Sequence, residues 1–245
     1  MLQRPTTVWK NAPDAASLNL LGGLVLKTVR LHFSKLNECK YISHLDLMRA
    51  FSRAFKQSGF PLWYTEGFNP HLYMVFSLPL SLGFESICET VDIRVTDDEF
   101  EYDRFMELNN YLPRGIKVFN VSDCVYKLSD IAWSRYMIEI EDNKTEADVI
   151  SNSISELTDS KEILIDKKDK KGRVQTKDVK PLIRSCQCSC SDGKVLVDIV
   201  CASSQSNTLN PGVLVNKALS QSGIDPDHLL IKRTQILTSD MINFE

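Results

Sequence analysis

From residue 27 to residue 34 apolar and polar side chains alternate: Val29, Leu31 and Phe33 fall on one side, Thr28, Arg30 and His32 on the other. A period of two is that of a half-buried β-strand. Over residues 43–58 the period changes to that of a helix, with Leu47, Met48, Phe51, Ala54 and Phe55 on one face. Ser43, with Asp46 shortly after it, predicts the cap of that helix, and Gly59 predicts its end. Residues 61–70, holding Gly67 and Pro70, predict a loop. Two strands are expected over 72–78 and 89–95, separated by a turn at Pro79 and Gly83. A second helix is expected over 99–111, broken by Pro113 and Gly115, and a fourth strand over 116–121.

A polar connector, 123–130, follows, and the order then repeats. Tyr136, Ile138 and Ile140 alternate in a strand over 133–141; 145–157 reads as helix and 162–166 as strand. A charged hairpin over 167–173 leads through 178–190 to a strand over 194–202, a helix over 210–222 with Pro211 in its first turn, and a last strand over 228–237. The expected architecture is α+β: two tandem ferredoxin-like βαββαβ lobes with antiparallel sheets, over 27–122 and 131–245. No residue-level repeat joins the halves, so duplication rests on element order. Residues 1–26 read as a disordered tail, or as a stretch preceding a true start near Val25, because Pro5, Pro13, Gly22 and Gly23 interrupt any period.

Composition narrows the function. A net charge of −3 excludes a molecule-wide glove for polyanions and leaves room only for a local basic patch. No apolar run reaches the roughly 18 residues that span a bilayer, and the N-terminus lacks a signal-peptide pattern, so a cytoplasmic protein without membrane contact is expected. Seven scattered cysteines predict reduced thiols rather than a disulfide framework. Cys186, Cys188 and Cys190 would share one strand face. Zinc, copper or an iron–sulfur centre would need a fourth ligand that the spacing does not supply, so buried small side chains on a β face are the expectation. Phosphate-binding glycine loops and the cysteine triplet of radical-SAM clusters are missing from the sequence, so no cofactor is expected.

The densest chemistry lies between Tyr41 and Glu89. Ser43, His44, Asp46 and Arg49 open the first helix, and Arg53 and Lys56 continue a polar stripe along it. That stripe is either a solvated face capped by Asp46 or a basic ridge for phosphate or carboxylate. Glu66, Asn69 and His71 are presented by the Gly67/Pro70 loop. With His44 they are expected to form one polar pocket. A His44/Glu66/His71 metal set matches no local spacing motif, and no metal is expected. Arg30, His32, Asp92 and Arg94 would line the face of the first sheet away from its helices, either open to RNA or packed on the second lobe. The basic hairpin is either a solvated loop or an arm for a phosphate backbone.

The segments Ser43-His44-Leu45-Asp46-Leu47-Met48-Arg49, Glu66-Gly67-Phe68-Asn69-Pro70, Ser81-Leu82-Gly83 and Glu89 with Asp92 resemble the radical-SAM-linked family of undetermined function. The turn ending at Gly83 is one residue longer than that pattern, and His71-Leu72-Tyr73 is less basic. The resemblance is strong over 28–122 and weak beyond. It implies a radical-SAM partner and an association with ribosomal components and RNA processing. The expected function is a non-catalytic accessory protein that binds a radical-SAM protein, RNA or a ribosomal component through Ser43, His44, Asp46, Arg49, Arg53, Glu66, Asn69 and His71. The alternative is an RNA-processing or RNA-modifying enzyme with His44 and His71 as acid and base, oriented by Glu66 or Asp46.

Overall fold

The computed structural model describes residues 19–21, 24–97, 99–143, 145–168, 174–204 and 206–244. The strands are β1 (Asn19–Leu21), β2 (Leu24–Lys35), β3 (Met74–Phe76), β4 (Glu85–Val95), β5 (Ile116–Asp123), β6 (Ile131–Glu141), β7 (Leu164–Lys168), β8 (Val174–Asp178), β9 (Ile183–Ser191), β10 (Lys194–Ala202) and β11 (His228–Thr238). The helices are α1 (His44–Ser58), α2 (Ala147–Asp159) and α3 (Pro211–Gln221). No helix among the described residues is long and apolar enough to cross a membrane.

Helix α1 follows the sequence closely. Ser43 caps it by accepting from the Asp46 amide at 3.2 Å, and Gly59 ends it at φ 67°, a left-handed conformation that glycine adopts without strain. Its inner face packs Leu47, Phe51 and Phe55 on Val29, Leu31, Phe33, Val91 and Ile93. The helix expected over 99–111 is instead a tighter 3₁₀ stretch, Tyr102–Asn110. Its buried residues Phe105 and Leu108 are spaced by three, which suits three residues per turn. The Asn109 amide also clamps the backbone of Val118 on β5, with bonds of 2.8 and 2.9 Å. The strand expected over 72–78 shrinks to β3, and β4 begins at Glu85 rather than Glu89. In the C-terminal half α2 and α3 cover Ile138, Ile140, Val195, Val197 and Ile231.

The sheet departs from the expected pair of antiparallel sheets. Nine strands form one mixed sheet in the order β1–β2–β4–β11–β6–β10–β9, with β5 also on β2 and β3 also on β4. The halves join where β11 runs parallel to β4, Lys232 opposite Glu85 and Arg233 opposite Ser86. The physical reason is an unfilled edge: β3 pairs with Val91–Ile93 of β4, which leaves the start of that edge for β11 to pair at Glu85 and Ser86. β7 and β8 form a separate hairpin. Its tip, 169–173, lies outside the described residues, as do 1–18 and 22–23 of the expected tail. Residues 19–21 and 24–26 do not belong to a tail, because β1 pairs with the start of β2.

The junction is charged. On one side of the sheet Arg233 binds Glu89, with Lys35 close enough to feel both charges, and all three side chains are buried. The turn between β3 and β4 lies over this point: Leu78 offers its carbonyl to Arg233, Phe84 packs on Tyr136, and Ser81 accepts from Asn210 at the start of α3.

The face expected to be open in the first half is covered in part. Arg30, His32 and Asp92 are buried. The connector supplies the Tyr126 carbonyl to Arg30, and Phe244 near the C-terminus stacks on its guanidinium. Burial, and then the Arg30 charge, push the His32 pKa down to about 4. The unfolded chain titrates near 6.5. Above that value both states carry a neutral imidazole and folding pays no proton cost. As pH falls from about 6.5 through 4, the unfolded chain takes a proton that the folded one refuses, so stability falls. The expected loss is about 2 kcal/mol after screening through the half-exposed Ser122 side. Urea unfolding at pH 7.5 and pH 4.5 should show this drop diminished in His32→Gln; an identical drop in both proteins rules His32 out as its source.

Candidate functional site

The start of α1 forms a compact polar knot. The Ser43 hydroxyl donates to Asp46 Oδ2 at 2.7 Å, and Arg49 Nη1 donates to Asp46 Oδ1 at 3.0 Å. The bond from Ser43, then that from Arg49, hold the Asp46 carboxyl below its usual range. Arg53 and Lys56 continue along the exposed side of the helix and make no hydrogen bond or ion pair among the described residues. His44 is exposed and sets its ring edge-to-face on Phe76 at 5.3 Å. Phe76 in turn packs against Phe33 and Phe51 on the helix side of the sheet. Tyr41, Leu45 and Leu82 are exposed apolar groups in this region, where the Gly83 amide bonds the Lys40 carbonyl.

The Gly67/Pro70 loop is held across its neck. The Thr65 amide donates to the His71 carbonyl at 2.8 Å, and the His71 amide to the Thr65 hydroxyl at 3.1 Å. His71 Nδ1 lies 2.9 Å from that hydroxyl and 3.2 Å from the Asn69 carbonyl. The imidazole thus stiffens its own loop. Glu66 and the Asn69 side chain are exposed and make no hydrogen bond or ion pair among the described residues. Phe68, at the tip, has a relative exposure of 103%. Below the neck the Arg94 guanidinium lies over the adjoining rings of Trp63 and Tyr73, 5.0 and 4.2 Å from their centroids.

The expected site residues fall on two elements. Ser43, His44, Asp46 and Arg49 lie at the start of α1, with Arg53 farther along the helix. Glu66, Asn69 and His71 belong to the loop. Leu72, bridged to Tyr64, is buried in the helix-side core. No hydrogen bond or ion pair among the described residues joins His44 to Glu66 or His71. Sequence reading missed the cluster of Arg94 with Trp63 and Tyr73, because its members come from segments that only tertiary pairing aligns.

Glu139, Glu141 and His228 gather potential ligand atoms within 4.8 Å of one another. The Lys194 ammonium already bridges the two carboxylates at 2.8 and 2.5 Å and neutralises much of their charge. The grouping reads as a cross-strand ion pair.

A family model described as "Uncharacterized protein conserved in bacteria (DUF2344)" matches residues 28–211. No curated protein matches the chain. Similar solved structures include a chain of the "Crystal Structure of a Cbf5-Nop10-Gar1 Complex", at 11% identity and a TM-score of 0.48, covering 85% of this chain and 48% of that one. This chain thus spans about half the length of that relative. Two others are an unknown protein from Galdieria sulphuraria (9% identity, TM-score 0.25) and a putative glycine cleavage system transcriptional repressor (6%, TM-score 0.24). Each of these two matches covers 85% of this chain and 98% of the other.

Proposed function

The chain belongs to the family of uncharacterized proteins conserved in bacteria, DUF2344, and on that footing we propose that it is a non-catalytic accessory protein of the cytoplasm. It binds a radical-SAM protein and presents RNA or a ribosome-related component to it. The cytoplasmic assignment accords with seven free cysteines. We read the two halves as ferredoxin-like lobes; the strand orders β5–β2–β4–β3 and β11–β6–β10–β9, which repeat the same connectivity, support that reading.

The observation that carries the binding proposal is Phe68. A fully exposed phenyl ring on a loop braced by Thr65 and His71 gains nothing within the chain and is already ordered for contact. Aromatic anchors of this kind dominate interface energies. Arg49 and Arg53 on α1 supply a further contact of the charge that fits phosphate or carboxylate. The enzyme alternative, with His44, His71 and Glu66 acting together, has less behind it: His44 packs on Phe76, the His71 ring bonds within its own loop, and no hydrogen bond or ion pair among the described residues joins the three.

The test is co-purification of the tagged full chain from its native cell, with captured proteins and RNA identified. Wild type is expected to retain a radical-SAM protein. Phe68→Ala should weaken that complex about thirtyfold, the equivalent of about 2 kcal/mol, while leaving the urea midpoint unchanged. Arg49→Ala with Arg53→Ala should weaken it further. Equal retention by all three proteins would discard the surface. RNA cleavage by pure protein that disappears in His44→Ala would restore the enzyme reading.

A further inference from the structure

The segment from Trp63 to Tyr73 carries four aromatic residues, Trp63, Tyr64, Phe68 and Tyr73. Its two ends lie beside β4. The Trp63 amide donates to the Arg94 carbonyl at 2.9 Å, and the Tyr73 amide to the Trp63 carbonyl at 3.2 Å. Leu62, Leu72, Ile93 and Val95 belong to the core that α1 covers. Arg94, between Ile93 and Val95 on β4, therefore projects from the opposite face of the sheet. Trp63 and Tyr73 join it there. Their ring centroids are 5.8 Å apart, and the guanidinium carbon lies 5.0 and 4.2 Å from them.

The cover over this face thins toward Arg94. Arg30 and Asp92 are buried, under the Tyr126 carbonyl and the Phe244 ring. Arg94 is only half-buried, as are Trp63, Tyr73 and Thr28, which stands opposite Arg94 on β2. Arg30 and Arg233 are each held by a carboxylate. Arg94 makes no hydrogen bond or ion pair among the described residues, so its five N–H donors are unspent. Contact with ring faces leaves the edge of a guanidinium, where those donors lie, open to an oxygen acceptor.

Flat rings beside an unspent guanidinium match the two parts of a nucleotide: a base to stack and a phosphate to accept hydrogen bonds. An acidic peptide would satisfy Arg94 and leave the rings without a flat partner. A duplex hides its base faces, so the match is to a single strand. We propose that Trp63, Tyr73 and Arg94 form a stacking platform for single-stranded RNA, with a base on the accessible ring surface and the adjacent phosphate on Arg94. This rests on the proposed function and gives the RNA presented there a place on the chain. A net charge of −3 fits such a site, because stacking carries the affinity and few phosphates are neutralised.

The test is fluorescence anisotropy of the pure full chain with labelled oligoadenylate, an abasic strand of equal length and an RNA duplex. Oligoadenylate should bind, and the abasic strand and the duplex should bind at least about tenfold more weakly. Trp63→Leu and Tyr73→Leu should each weaken oligoadenylate binding about tenfold, while Trp63→Phe, which keeps a flat ring, stays within about threefold of wild type. Leucine and phenylalanine both fill the site, so this contrast reads stacking apart from folding; the urea midpoint of each variant checks it. Arg94→Gln should lower the slope of log affinity against log salt by about 0.7, the share of one phosphate on a single strand. Equal binding of oligoadenylate and the abasic strand, tighter binding of the duplex, equal binding by Trp63→Leu and Trp63→Phe, or no binding by folded wild type overturns the platform. Capture of the radical-SAM partner through Phe68 is read separately, by co-purification, so failure of one proposal is told apart from failure of the other.

Discussion

Replacing Glu89 with alanine is expected to destabilise the protein by about 3–5 kcal/mol, the usual cost of removing one partner from a buried ion pair. Glu89 Oε1 accepts from Arg233 Nε at 3.0 Å and from Nη2 at 2.5 Å. Lys35 is buried beside them, its ammonium donating to the Ile42 carbonyl at 2.9 Å. Burial pushes the Lys35 pKa down, and the Glu89 charge is the main influence holding it up. Without Glu89, two cations remain in the seam with no carboxylate between them. The penalty comes from charge left unpaired, not from the net worth of the pair. The double variant Glu89→Leu with Arg233→Leu should therefore recover much of the loss, because a buried pair replaced by apolar groups is often nearly neutral. Urea unfolding of the three proteins decides the matter. A cost under about 1 kcal/mol for Glu89→Ala would mean that water reaches the seam.

That seam also shows how far the sequence could be read. Helix α1 was legible to within a residue, because helical period, serine cap and glycine stop agree there. Strands β6, β10 and β11 were legible from their alternation, as with Tyr136, Ile138 and Ile140, whereas β8 and β9 were not read as strands. The union of the halves was not. It depends on Glu85 and Ser86 meeting Lys232 and Arg233, a contact far apart in the chain that no local period encodes. A weak signal did exist: Glu89 shares the parity of Val91 and Ile93, and Arg233 that of Ile231, so each charge occupies an apolar position of its strand. A charge at an inward position calls for a buried counter-charge. The contacts of the candidate site were less legible: Gly67 and Pro70 predict a loop without fixing which way it points, and the Thr65–His71 bonds that brace it depend on its folded shape. The Tyr102–Asn110 stretch was misread because helical spacing over so few turns does not distinguish an α-helix from a 3₁₀-helix.

Asp92→Ala is expected to cost a comparable 3–5 kcal/mol, and to open a different part of the molecule. Arg30 donates from Nε to Asp92 Oδ1 at 2.7 Å and from Nη2 to Oδ2 at 2.9 Å. The same Nη2 reaches the Tyr126 carbonyl of the connector at 3.0 Å. The ring of Phe244 lies 4.0 Å from the guanidinium carbon. Asp92 thus orients a cation that pins both the connector and the C-terminal segment to the sheet. Once the carboxylate is gone, the guanidinium turns toward water, and Tyr126 and Phe244 lose the group they pack on. Ile131, Ile236 and Phe244 form their own small core, so loosening there should spread along β11 before the helix-side cores respond. Limited proteolysis should accordingly cut Asp92→Ala first after Lys127, in the connector, at urea concentrations where wild type is intact. Phe244→Ala should show the same cleavage with a smaller fall in stability, because the Arg30–Asp92 pair survives. If Asp92→Ala loses stability while Lys127 stays as protected as in wild type, the connector is held by its own apolar contacts and Arg30 is not its anchor.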